Sequence, residues 1–113
     1  MIRIQIFRDN EARITGFRVT GHAGTAPQGE DIICAGVSAL TQSALLGLER
    51  WADRQMNLTV ESGKLIMDLT SEPDSLTQAI LETMVLGLTA IADNYPKNVS
   101  LVSTGGDKNG FSI

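Results

Sequence analysis

Ile33-Cys34-Ala35-Gly36-Val37-Ser38-Ala39-Leu40-Thr41-Gln42-Ser43-Ala44-Leu45-Leu46-Gly47-Leu48-Glu49-Arg50-Trp51, residues 33–51, is where the pattern of apolar residues changes period. Val37, Leu40, Ala44, Leu48 and Trp51 recur at helical spacing, and Leu45 widens the stripe. A helix running to about Gln55 is predicted. Upstream the period is two. Ile2, Ile4 and Ile6 alternate with Arg3, Gln5 and Phe7, the pattern of a half-buried strand. Asp9-Asn10-Glu11 reads as a turn and Arg13 to Thr20 as a second strand closing a hairpin. Downstream, Met56–Glu61 and Lys64–Leu69 form another hairpin around Ser62-Gly63.

A second helix is predicted from Asp74, ending just after Tyr95, where Pro96 stops it. Within it Leu76, Ile80, Gly87 and Ile91 share a face, flanked by Leu81, Met84 and Leu88. Val99 to Ser103 is a last strand, followed by a glycine-containing tail. The order β-β-α-β-β-α-β, with each helix able to cover a sheet face, predicts one α+β domain over residues 1–113. It is a two-layer sandwich of helices on a mostly antiparallel sheet.

Composition narrows the function classes. With 113 residues, 42% hydrophobic and only 4% aromatic, the core must be aliphatic. The net charge of −4 and the absence of a Lys/Arg cluster argue against direct nucleic-acid binding as the main task. One Cys and one His leave no internal disulfide and no tetrahedral zinc site without carboxylates or a second chain. No metal or cofactor is expected. Neither a secretory leader nor an apolar run of membrane-spanning length is read from the sequence, so a reduced, cytoplasmic setting is expected.

The only His and the only Cys stand 12 residues apart, at His22 and Cys34, joined by a loop read from Gly21 to Asp31 with Gly24 and Gly29 inside it. Such a loop can bring the imidazole to the thiol, and its glycines permit a mobile backbone or mark plain turns. Cys34 is read at the start of the first helix. There the dipole and free amides favour a thiolate and could supply an oxyanion hole. The competing reading is a buried structural thiol. Asp31 either caps that helix or orients His22. Ser38, four residues after Cys34, either touches the site or bonds a carbonyl of its own helix.

Gly21-His22-Ala23-Gly24 followed by Gly29-x-Asp31-Ile32-Ile33-Cys34-Ala35-Gly36-Val37-Ser38 resembles the signature of the Prp family, the ribosomal-processing cysteine proteases. By that resemblance His22 and Cys34 match the catalytic dyad, and Asp31 and Ser38 match further characteristic positions. The resemblance implies cleavage of a short N-terminal extension from a large-subunit ribosomal protein, beside an aromatic residue. It also implies a homodimer, for which Leu81, Met84 or Leu88 could supply uncovered apolar surface. Thr25 departs from the larger residue that many members carry there. The rival reading is a non-catalytic ribosome-assembly module with a structural Cys34.

Overall fold

The structure is a computed structural model that describes residues 1–21 and 28–105, residues 28–31 by their backbone alone. The elements are β1 (Ile2–Arg8), β2 (Ile14–Thr20), α1 (Gln28–Leu46), a π-helical turn (Gly47–Trp51), β3 (Met56–Glu61), β4 (Lys64–Leu69), α2 (Ser75–Asn94) and β5 (Val99–Gly105). The β-β-α-β-β-α-β order is the expected one.

The five strands lie in the order β3-β4-β2-β1-β5, all antiparallel except β1 with β5. Two connections cross over through helices, β2 to β3 by α1 and β4 to β5 by α2. They run in opposite directions along oppositely directed strands. The right-handed rule for such crossovers therefore puts both helices on the same face. The two layers follow from connectivity and handedness.

Ile2, Ile4 and Ile6 face the helices and are buried, as the alternation requires. In β2 the alternation breaks. Phe7 pairs with Gly16 but Arg8 pairs with Ile14, so Thr15 is an extra residue in the ladder. This bulge returns Ile14 to the face that Phe17 occupies, and both are fully buried.

α2 begins at a capping box. The Asp74 side chain accepts the Thr77 N–H, and the Thr77 hydroxyl accepts the Asp74 N–H. It ends at Tyr95, immediately before Pro96. Its sheet-facing stripe is Thr77, Leu81, Met84, Val85 and Leu88. Leu81, Met84 and Leu88, expected as surface for a second copy, are therefore core. The face read from Ile80, Gly87 and Ile91 turns toward α1. A Cβ placed on Gly36 would meet Ile91, one on Gly47 would meet Ile80, and one on Gly87 would meet Leu40. Glycines at the crossing let the two helices approach closely, side by side. Leu76, predicted on that face, is exposed.

Along α1 and into the π-helical turn the stripe Val37, Ala44 and Leu48 is buried together with Thr41, and Leu40 packs at its edge. Trp51, predicted to end this stripe, is 83% exposed, while Ala52 is buried. The π-helical turn explains the exchange. The Ala52 N–H donates to the Gly47 carbonyl five residues back, so one extra residue enters the last turn and Ala52 takes the inward position. By length and composition alone, residues Ile32–Trp51 and Ser75–Asn94 are long and apolar enough to cross a membrane, a property that the reading of apolar runs missed. Here each segment gives one stripe to a core shared with the sheet, Val37, Ala44 and Leu48 from the first and Leu81, Met84, Val85 and Leu88 from the second.

Candidate active site

The helix that carries Cys34 starts earlier than its apolar period suggested. α1 begins at Gln28, so Cys34 is in its second turn. The amides left free at the helix start belong to residues 28–31 and not to Cys34 or Ala35. The oxyanion hole expected from free amides at Cys34 is thus lost, and so is a thiol at the very dipole end. Asp31 is the fourth helical residue rather than the cap. The polar residues 28–31 form the first turn, where acidic groups suit the positive end of the dipole, and they carry no apolar marker for a periodic search to find.

Gly29 likewise lies in α1 and not in a loop. His22 and Gly24 lie outside the described residues, as does the side chain of Asp31. Gly21 is held in place. Its φ is +90°, its N–H donates to the Gly63 carbonyl at 2.9 Å, and a Cβ there would stand 2.3 Å from the Met1 carbonyl oxygen. Only glycine fits this corner, which fixes the chain one residue before His22.

Cys34 is the only cysteine, half-buried and free. Its side chain packs on the edge of the core and also borders a groove of about 850 Å³ between α1 and the β3–β4 hairpin. The groove exists because the helices sit over the other half of the sheet. In register, Val60 faces Leu65, Leu65 faces Val19, and Val19 faces Ile4. Ile4 is buried at one end of that row, whereas Val60 is 66% exposed at the other. The helix-side face of β3 is left as an apolar floor.

Ser38 stands on the same wall, one turn beyond Cys34 and exposed. Its hydroxyl makes no hydrogen bond among the described residues. The in-helix carbonyl bond offered as its alternative role belongs to Thr41, whose hydroxyl donates to the Val37 carbonyl at 3.0 Å. At the far end of the groove, Arg54 lies on the rim with its guanidinium 2.6 Å from Asp74. Sequence reasoning did not single out Gln42, Leu58 or Val60 as groove residues. Their spacing marks helix and strand correctly, but nothing in it says which strand a helix leaves uncovered. Among the described residues no group of three or more His, Cys, Asp or Glu side chains could hold a metal.

The arrangement offers a peptide-sized, half-apolar groove with a reachable thiol at its edge. Comparison with known proteins gives the family of the chain. A family model described as cysteine protease Prp matches residues 1–100. The ribosomal processing cysteine protease Prp of Staphylococcus aureus is 30% identical over 105 residues, 89% of this chain and 97% of that protein. The Bacillus subtilis protein of the same name is 28% identical over 109 residues, 91% of this chain and 97% of that protein. Among solved structures, the S. aureus ribosomal processing protease with a covalently linked product peptide superposes with a TM-score of 0.85 at 25% identity. The match covers 92% of this chain and all of that one.

Proposed function

The chain belongs to the cysteine protease Prp family, and from that premise we propose that Cys34 and His22 are the dyad with which it removes a short N-terminal extension from a large-subunit ribosomal protein. The observation that carries this reading is the position of the only cysteine, half-exposed at the edge of a groove large enough for a peptide. A buried structural thiol would not border such a groove.

The chemistry is acyl transfer. His22 takes the thiol proton, and the Cys34 Sγ attacks the scissile carbonyl carbon. The C–N bond breaks as His22 returns the proton to the leaving amine, which leaves a thioester. Water, deprotonated by His22, then cleaves the thioester and restores the thiol. The Ser38 hydroxyl, on the same wall and without a partner among the described residues, serves the bound peptide as a donor. With the capping role gone, Asp31 is assigned to orienting His22. Gly21 anchors the segment that carries His22. No cofactor takes part.

The protein works in the cytoplasm, where its substrate is made, and it works as a homodimer. Since Leu81, Met84 and Leu88 are core, the surface for a second copy comes from exposed apolar side chains such as Leu46, Trp51 and Leu86. A monomer mass by light scattering at micromolar concentration would refute the dimer.

The main test is mass spectrometry of a peptide spanning the ribosomal-protein extension after incubation with the protein. One cut releasing the extension is expected, and none with Cys34→Ala at an unchanged thermal midpoint. Cleavage by Cys34→Ala at the parent rate would overturn the assignment.

A further inference from the structure

The two sides of the groove differ in chemistry. α1 presents Cys34, Ser38 and Gln42 at successive helical turns, and across from them lie Leu58, Val60 and Leu65. Gln42 is exposed, and its carboxamide has no partner among the described residues. An amide with no partner among the described residues, on a wall that faces Leu58, Val60 and Leu65, can bond a ligand without first breaking a bond to them.

Distance decides what it can reach. A helix rises about 1.5 Å per residue, so Gln42 stands about 12 Å along α1 from Cys34. An extended peptide advances about 3.3 Å per residue, which places Gln42 beside the third or fourth residue from the scissile bond. A carboxamide carries both donors and an acceptor, the complement of a main-chain peptide group. That bond is indifferent to the side chain at the position it holds. Side chains of an extended chain alternate in direction. With one edge of the main chain on α1, every second side chain meets Leu58 or Val60, which are 47% and 66% exposed.

We propose that Gln42 is a substrate-binding residue that holds the peptide main chain three to four residues from the scissile bond, while Leu58 and Val60 take alternate side chains. The groove then selects an extended segment with apolar residues at alternate positions. This rests on the reading of Cys34 as the nucleophile of the same groove.

The experiment compares the parent with Gln42→Met, which keeps the length of the side chain and removes its hydrogen bonds. Peptides with six residues on each side of the cut, and peptides shortened to two residues on one side or the other, serve as substrates. On the long peptide the variant should lose about five- to tenfold in kcat/KM, the worth of one hydrogen bond, through KM with kcat unchanged. Shortening one side should bring the parent down to the variant and erase the difference. The thermal midpoint should stay where it is. In the long peptide, aspartate placed at each position in turn should impair cleavage at every second one. The proposal is overturned if parent and variant cleave the long peptide equally, if their difference survives shortening on both sides, or if the aspartate scan shows no alternation. A parent that cleaves none of these peptides refutes the protease reading itself, and this proposal with it.

Discussion

Asp74 and Thr77 hold each other at the start of α2: the Asp74 Oδ1 accepts the Thr77 N–H at 2.9 Å, and the Thr77 Oγ1 accepts the Asp74 N–H at 2.9 Å. The second carboxylate oxygen of Asp74 takes the Arg54 guanidinium at 2.6 Å. Arg54 stands on the rim of the groove. One carboxylate thus caps the helix and ties down the far end of the candidate site.

That carboxylate gives the fold a defined response to acid. The Thr77 N–H, and after it the Arg54 guanidinium, hold the Asp74 carboxyl below its ordinary 3.8. A group depressed in the folded state contributes stability above its unfolded pKa and loses it as pH falls through the folded one. Melting curves taken downward from pH 6 should show the parent losing stability below about pH 4. Asp74→Asn, which keeps the cap shape but not the charge, should lose less over that range. Parallel curves for the two proteins would rule out this source of acid sensitivity.

Phe17 is fully buried and Trp51 is 83% exposed, although both are large and aromatic. Phe17→Ala should cost about 3–5 kcal/mol in chemical denaturation. Trp51→Ala should stay within about 0.5 kcal/mol at concentrations where the protein is monomeric. As the only tryptophan, Trp51 also reports on association. Its emission should shift to the blue as concentration rises through the dimer transition, if that surface is the one shared.

Gly21→Ala should destabilise by about 1–3 kcal/mol, because it puts a Cβ on a left-handed residue. That Cβ would also lie 2.3 Å from the Met1 carbonyl oxygen. Since the strain falls one residue before His22, cleavage should decline more than stability alone predicts. Activity measured well below the melting temperature separates the two effects. A variant as stable and as active as the parent would show that the corner is dispensable.

His22→Ala should remove nearly all cleavage, since the chain has no other imidazole. If His22 and Cys34 act as one unit, the double variant with Cys34→Ala should be little slower than either single one. Multiplying losses, read from initial rates on one peptide, would mean that the two residues act separately.

The strands were legible because their apolar residues alternate against polar ones. β3 and β4 match their predicted limits residue for residue. The start of α2 near Asp74 and its stop at Tyr95 were legible because helix-start and helix-stop residues act locally. What escaped depends on more than local pattern. The bulge at Thr15 shows only in the pairing of two strands. The π-helical turn that exchanges Trp51 for Ala52 leaves no residue signature. The early start of α1 rests on polar residues that serve helix and loop equally well. For the site, sequence marked Cys34 and Ser38, and the structure sets them on one wall of the groove. The opposite wall came from topology, which leaves β3 beyond the reach of either helix.

β1 lies between β2 and β5, with Ile2 paired to Val99 and Arg8 to Gly105. The first strand made is therefore completed by the last. During synthesis, Ile2, Ile4 and Ile6 must wait with one edge unpaired until the chain has been extended through residue 105 and has cleared the ribosome. Contacts so distant in sequence form late. A protease assembled in this order acquires its finished scaffold only once the strand ending at Gly105 has emerged, so a nascent chain stopped short of that strand lacks it.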